Sequence, residues 1–318
     1  MPRIMICGEI LVEVMTTEID QSFLEPGTLV GPYPSGAPAI FISQVARMGV
    51  ACGIISQVGD DDFGRINTNR LQADGVDISQ IAVTPDHTTG VAFVTYFSDG
   101  SRQFIYHFMD AACGLLEEHQ VKEEAFDDCE YYHVMGCSLA ASESICRSVL
   151  KGLRIAISKG AKISFDPNLR PELLGNKAIR DAFAELMDSA DILQTGKSEL
   201  KLLFPDEQDA VGRLLAEKDR IIIVKDGSRG TSVYTRNEAF SIPVYPAVEV
   251  DPTGAGDCFD GTMLACLASG MSLQDAACYA NTAGALAVSK KGPMEGNSFR
   301  ALIEEKVKEH PLKVTPIM

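Results

Sequence analysis

Asp251-Pro252-Thr253-Gly254-Ala255-Gly256-Asp257-Cys258-Phe259 joins a run of small residues to two flanking carboxylates, and apolar residues at helical spacing follow: Phe259, Met263, Cys266 and Leu267. Small residues at 254–256 let backbone approach a ligand closely. A helix that starts there aims unpaired N–H groups and its positive dipole end at an anion. Asp257 falls in the first turn, where a carboxylate either caps the helix or faces whatever the loop binds.

Outward from this loop, short β-rich runs alternate with longer amphipathic ones. Strands are expected at Arg3–Cys7, Gly53–Val58, Tyr131–Met135, Lys162–Phe165, Ile192–Gln194 and Arg220–Lys225. Helices are expected at Ala39–Met48, Phe63–Ala73, Ser142–Ser158, Ile179–Ser189, Ala210–Leu215, Gly256–Ser269, Leu273–Ser289 and Ser298–Glu309. The alternation predicts an α/β fold, a mostly parallel sheet with helices on both faces, binding its ligands beyond the carboxyl ends of the strands. Two stretches break the rhythm. Val14–Tyr33 contains Gly and Pro and lacks helical period. Thr88–Phe108 alternates, with Val91, Phe93 and Thr95, then Phe104, Tyr106 and Phe108, around an Asp99-Gly100-Ser101 turn. They predict a small β lid, from about 14–33 and 88–108, inserted in a single domain spanning 1–318. Such a lid could close over a site or pair with a second copy as a homodimer.

Composition narrows the partners. The 318 residues are 46% hydrophobic and 23% charged, an ordinary globular mixture. A net charge of −16 argues against nucleic acid or an anionic membrane surface, both of which attract clustered Lys and Arg. Nine cysteines without a Cys-x-x-Cys pair fit free thiols in a reducing compartment. No apolar run reaches the roughly 18 residues needed to span a bilayer. With no signal peptide, the expected location is cytoplasmic.

The loop at 251–257 resembles the signature Asp-Thr-x-Gly-Ala-Gly-Asp of the ribokinase-like (PfkB-type) carbohydrate kinases, with Pro252 in place of the usual Thr. The resemblance implies a three-layer α/β/α sandwich with a β lid. It makes Gly254, Ala255 and Gly256 an anion hole for the migrating phosphoryl group and Asp257 the base that accepts the sugar hydroxyl proton. The chemistry agrees, because phosphoryl transfer needs mainly positioning, charge stabilisation and one group to orient the nucleophile.

A second resemblance runs from Ser35-Gly36-Ala37-Pro38-Ala39 through Arg47-Met48-Gly49 to Val58-Gly59-Asp60-Asp61-Asp62-Phe63-Gly64, similar to the family's Gly-Gly-x-x-x-Asn-x-Ala and Gly-Asp-Asp-x-x-Gly segments. It implies sugar contacts at Gly36 and Ala37. Ile40 stands where the family has a substrate-contacting Asn, and Ser35 replaces the first Gly. Glu13, closing Gly8-Glu9-Ile10-Leu11-Val12-Glu13, stands where the family has a sugar-binding Asp. Tyr106 of the lid and Arg170, in Asp166-Pro167-Asn168-Leu169-Arg170-Pro171, complete the implied substrate set. The last segment resembles the fructokinase and 2-keto-3-deoxygluconate kinase branch.

The same resemblance implies the ATP contacts. Lys225-Asp226-Gly227-Ser228-Arg229-Gly230 looks like the family's Lys-x-Gly-x-x-Gly beneath the nucleotide, assigning Lys225, Gly227, Ser228 and Gly230, with Asn281 near the adenine. Gly196-Lys197-Ser198-Glu199 stands in place of Asn-x-x-Glu, leaving Gly196 beside the nucleotide and Glu199 to organise Mg2+ through water. Asp251, Thr253, Ala287, Lys290, Gly292 and Gly296 fall where relatives hold a monovalent cation, K+, mostly with backbone oxygens.

The expectation is therefore an ATP- and Mg2+-dependent kinase acting on a primary hydroxyl of a pentose or ketohexose. A sugar-acid kinase is the alternative and a non-catalytic sugar or nucleotide sensor the rival class. Neutral sugars are favoured because Phe108 stands where acid kinases place a lid Arg and because Glu13 would repel a carboxylate. Arg102, in the lid hairpin turn, is the residue that could swing in and replace that missing cation. A dinucleotide-dependent oxidoreductase would need a Gly-x-Gly-x-x-Gly turn after the first strand, and none is present.

Overall fold

The computed structural model describes residues 1–169, 176–205 and 208–317. Its first half runs β1 (Ile4–Cys7), β2 (Leu11–Thr16), β3 (Leu29–Ser35), α1 (Ala37–Arg47), β4 (Cys52–Gly59), α2 (Asp62–Asp74), β5 (Ile81–Thr84), β6 (Gly90–Tyr96), β7 (Arg102–His107), β8 (Tyr131–Met135), α3 (Gly136–Ala141) and α4 (Glu143–Ser158). The second half runs β9 (Lys162–Asp166), α5 (Lys177–Ser189), β10 (Ile192–Gly196), α6 (Lys197–Leu203), α7 (Ala210–Glu217), β11 (Ile221–Lys225), β12 (Thr231–Tyr234), β13 (Ala239–Ile242), α8 (Ala255–Ala268), α9 (Leu273–Ala287), α10 (Arg300–Glu309) and β14 (Thr315–Pro316).

Ten strands form one sheet in the order β14-β13-β12-β11-β10-β9-β8-β1-β4-β5. From β11 to β5 each neighbouring pair is parallel, while β12, β13 and β14 add antiparallel pairs at one edge. Strand alternation feeds two cores. Ile4 and Ile6 of β1 join α1, α8 and α9 on one face, and Met5 and Cys7 join α4 and α5 on the other. The helices are cut by local chemistry. Ser142 caps α4 by accepting from the Ile145 amide, and Asp61 caps α2 by accepting from the Gly64 amide. α4 then buries Ile145, Val149, Leu153 and Ala156 along one stripe.

The expected lid is a second, four-stranded sheet in the order β3-β2-β6-β7. It reaches beyond the expected 14–33, starting at Leu11 and ending at Ser35 on its first arm, and it is mixed in strand direction. β2 and β3 pair antiparallel, as do β6 and β7, but β2 and β6 join them in parallel from Leu11↔Gly90 to Met15↔Val94. Every expected main-sheet strand and helix is present, with ends shifted by a few residues. Among the described residues, no helix is long and apolar enough to cross a membrane, and all nine cysteines are free thiols, eight of them buried.

Candidate active site

α8 begins one residue before the predicted start. Its N-cap is Gly254, at φ 77° and ψ −3°, a left-handed conformation that glycine adopts without steric penalty. A Cβ there would lie 2.3 Å from the Pro293 carbonyl oxygen, so this position excludes a side chain on space as well as on torsion. Over Gly256 an added Cβ would meet the Lys225 ammonium at 3.6 Å and nothing nearer. The first turn of α8 thus presents bare backbone toward a cation, with its orphan amides and dipole end oriented for an anion. Asp257 sits in that turn and is only 9% exposed.

Two cavities meet here. The first, of about 470 Å³, lies between the small sheet and the carboxyl ends of the parallel strands, with Glu13, Gly36, Ala37, Ile40, Tyr106 and Asp257 in its wall. The second, of about 520 Å³, lies over β11 and α9, lined by Gly227, Ser228, Gly230, Tyr245, Asn281 and Val288 among others. Gly196, Ser198, Lys225, Pro252 and Gly256 line both. The expected substrate and nucleotide sets therefore separate into neighbouring chambers, with the small-residue loop at their junction. Ala255 faces the second cavity and Gly254 the first. Arg170 lies outside the described residues.

Beneath the junction is a charged network. Lys225 Nζ donates to Asp260 Oδ1 at 2.9 Å, Asp260 Oδ2 at 2.8 Å and Asp166 Oδ2 at 3.1 Å. Burial opposes an ammonium, but the two carboxylates outweigh it and hold Lys225 above its usual range. Asp166 also accepts from the Asn168 amide and is held low despite its burial, by Lys225 in particular, while the fully buried Asp260 is pushed up. Glu199 is tied to backbone, accepting from the amides of Gly196 at 2.6 Å and Leu169 at 2.7 Å. Burial, with Asp166 nearby, raises it.

Glu13 stands on β2 inside the first cavity at 4% exposure. One carboxyl oxygen accepts from Ser35 Oγ at 3.3 Å, and the other has no hydrogen-bond partner among the described residues. Burial, then the proximity of Asp251, pushes it up to about 8. Asn281, read in the sequence as a helix residue near the adenine, is buried and linked through its amide oxygen to Thr231 Oγ1 at 3.1 Å. Among the cation residues, Asp251 accepts from the Thr253 amide at 3.0 Å and the Gly292 amide at 2.9 Å, drawing two loops together. A Cβ on Gly296 would lie 2.2 Å from the Ala287 carbonyl oxygen, so the two backbones pack together and only glycine fits there. Lys290 is exposed at the edge of this group.

Sequence reading passed over Glu9, Asp166, Asp260 and the place of Arg102. Glu9, buried in the first cavity, accepts from Ser138 Oγ at 2.5 Å. Arg102 is the first residue of β7 and lines the same cavity, its Nη1 donating to Thr253 Oγ1 at 3.2 Å. Its signal was period-two alternation, for Arg102, Phe104 and Tyr106 share one face of the strand.

Comparison with known proteins agrees with this geometry. The sequence profile of the pfkB family of carbohydrate kinases matches residues 3–300. The chain belongs to that family. Fructokinase-1 of Oryza sativa subsp. japonica is 33% identical over 297 residues, 90% of this chain and 91% of its own. A candidate ribokinase II from E. coli is 47% identical and superposes with a TM-score of 0.93 in its apo form, over 98% of this chain and 100% of its own. Its complex with ATP and Mg2+ gives 0.92 over the same shares. A fructokinase double mutant from Vibrio cholerae, bound to fructose, ADP and potassium, is 25% identical with a TM-score of 0.82, over 96% of this chain and 98% of its own. As a pfkB carbohydrate kinase, the chain is an ATP-dependent enzyme that phosphorylates a sugar.

Proposed function

We propose that the chain transfers the terminal phosphoryl group of ATP to a primary hydroxyl on a pentose or ketohexose skeleton held in the first cavity. The observation that carries this is the shared wall: the cavity containing Asp257 and the cavity containing Asn281 open onto the same turn, Pro252 to Gly256, with Lys225 at the seam. Asp257 takes the hydroxyl proton as the sugar oxygen bonds to phosphorus and the bond from phosphorus to the ADP oxygen breaks. A carboxylate suffices as base because the proton leaves late. Gly254, Ala255 and Gly256 turn backbone amides toward the transferring group. The absent side chains at Gly254 and Gly256 keep that approach open, and Lys225 supplies a fixed positive charge beside it.

In this reading Gly227, Ser228 and Gly230 cradle the nucleotide and Gly196 borders it, while the buried Asn281 shapes the base end of its cavity. Glu13, Gly36, Ala37 and Tyr106 hold the sugar, with Ile40 as an apolar wall. The donor set fits both ions. Glu199, with Asp166 beside it, would hold hydrated Mg2+, which supplies charge neutralisation to the phosphates when bound. The Ala287 carbonyl and the loops tied by Asp251, with Thr253, Lys290, Gly292 and Gly296, would hold K+. ADP release measured over a panel of sugars, with the product's phosphate located by NMR, tests the proposal. No sugar-dependent ADP release, or phosphate on a secondary hydroxyl, refutes it.

A further inference from the structure

The face of β7 that looks into the first cavity carries Arg102, Phe104 and Tyr106, and Phe108, one residue past the strand, lines the same cavity. Phe104 and Tyr106 stack at 5.4 Å and 2°, and Phe108 meets Tyr106 edge-on at 5.0 Å. Arg102 ends this apolar stripe beside Thr253, four residues before Asp257. Most arginines in the protein are satisfied by carboxylates, as Arg47 and Arg70 are by Asp74 and Arg154 by Glu185. Among the described residues no carboxylate lies within 4.0 Å of the Arg102 guanidinium. It donates to the neutral Thr253 hydroxyl, with its charge 5.7 Å from the Phe104 ring. A guanidinium has five donors in a fork suited to a carboxylate, and a hydroxyl partner leaves most of them for an incoming oxyanion.

We propose that the acceptor sugar carries a carboxylate and that Arg102 is the residue that selects it; this rests on the reading of the first cavity as the sugar site. Neither sequence argument for a neutral sugar holds in the structure. By the resemblance Phe108 stands where the acid kinases place a lid arginine, but Arg102, six residues before it, brings a cation to the cavity. Glu13 would repel a carboxylate only if ionised, and burial favours its neutral form around pH 7. Asp251, Asp257 and Arg102 are the charged groups that act on Glu13 there. A singly charged carboxylate also suits this cavity better than a phosphate ester, since among the described residues one arginine, Arg102, faces walls that already hold Glu9, Asp166 and Asp257.

The test uses the full-length enzyme with saturating ATP and Mg2+ on three acceptor classes: neutral ketoses such as fructose, the sugar acid 2-keto-3-deoxygluconate with other ketose acids, and fructose 6-phosphate. The acids are expected to exceed the neutral sugars in kcat/KM by at least about tenfold. Arg102→Met should cut the acid-to-neutral ratio at least about thirtyfold, and Arg102→Lys should restore part of it, because the charge returns without the fork. The inference is overturned if neutral sugars or the phosphate ester win, or if Arg102→Met lowers all classes in proportion, which would make Arg102 a closure or phosphoryl contact. Phosphorylation of neutral sugars with no effect on the ratio sinks this inference alone. Failure to phosphorylate any class sinks the kinase reading beneath it as well.

Discussion

Replacing Lys225 by Met separates a catalytic charge from a structural one. The ammonium makes three hydrogen bonds of 2.8–3.1 Å to Asp260 and Asp166, whose side chains are 0% and 5% exposed. Removing one partner of a buried ion pair costs about 3–5 kcal/mol, because the remaining charge is left without solvent or counterion. Lys225→Met should therefore unfold well below the parent temperature. Asp260→Asn in the same chain removes one of the two stranded carboxylates, so Lys225→Met/Asp260→Asn should recover most of that stability. Turnover should not recover with it. If Lys225 stabilises the charge developing on the transferring group, its loss costs roughly 10²–10³ in kcat, the scale for one preorganised donor, or about 2.7–4 kcal/mol. Steady-state kinetics and thermal unfolding on parent, single and double variants decide between the roles. A double variant that regains kcat to within about fivefold of the parent would show that Lys225 is only a counterion for Asp260 and Asp166.

Asp257→Asn should lower kcat by roughly 10²–10⁴ with the KM for ATP nearly unchanged, and turnover within about threefold of the parent would remove it as the base. Gly254→Val should abolish activity while the fold survives, since its Cβ would meet the Pro293 oxygen at 2.3 Å in a left-handed backbone; normal kinetics in a soluble variant would place the anion site elsewhere. Glu13→Gln should alter stability in a pH-dependent way. The folded group titrates near 8 against 4.5 in the unfolded chain, so ionisation of the unfolded chain costs the parent stability as pH rises between those values, by up to about 1.4 kcal/mol per unit. The melting-temperature gain of the variant should be smallest near pH 4.5 and grow toward pH 8, and a constant difference across that range would refute a buried neutral Glu13.

The main architecture was legible because its signals are local. β1, β4, β8, β9, β10 and β11 are apolar runs bounded by turns, and α4 and α9 open on Ser caps that can be read without tertiary knowledge. The elements passed over lack such signals. β2 carries Glu13 in a strand otherwise buried in apolar surroundings, so a functional carboxylate disguised its pattern. β12 and β13 are four-residue strands near the sheet edge, and α6 opens at Gly196 with no fully buried residue to give it a stripe. The Asp166–Lys225–Asp260 network joins residues 59 and 35 positions apart, a juxtaposition fixed by sheet order and invisible to spacing. Arg102 had a visible signal in its alternation with the aromatic residues of β7, but only the pairing of β6 with β7 and the position of Thr253 turn that face into a cavity wall.

The departures from the family pattern fall in a telling place. Glu13 for Asp, Ser35 for Gly, Ile40 for Asn and Phe108 for Arg all line the first cavity. Gly196 for Asn and Pro252 for Thr lie at the seam between cavities, and the positions that would carry the phosphoryl group, Gly254, Gly256 and Asp257, match the signature. Loss of chemistry would relax Gly254, Gly256 and Asp257 as readily as the sugar wall, so their retention argues for a changed acceptor rather than a retired enzyme. The character of the changes agrees. Ile40, 2% exposed, removes a neutral hydrogen-bonding amide, and its Cγ2 would sit 3.2 Å from a Cβ on Gly254, so it packs against the loop instead of reaching a hydroxyl. Among the described residues of the cavity wall, Glu9, Glu13 and Arg102 remain as polar groups near that position. Loss of a neutral amide, together with a cation that has no carboxylate partner among the described residues, is what the proposed acidic acceptor would require of this cavity.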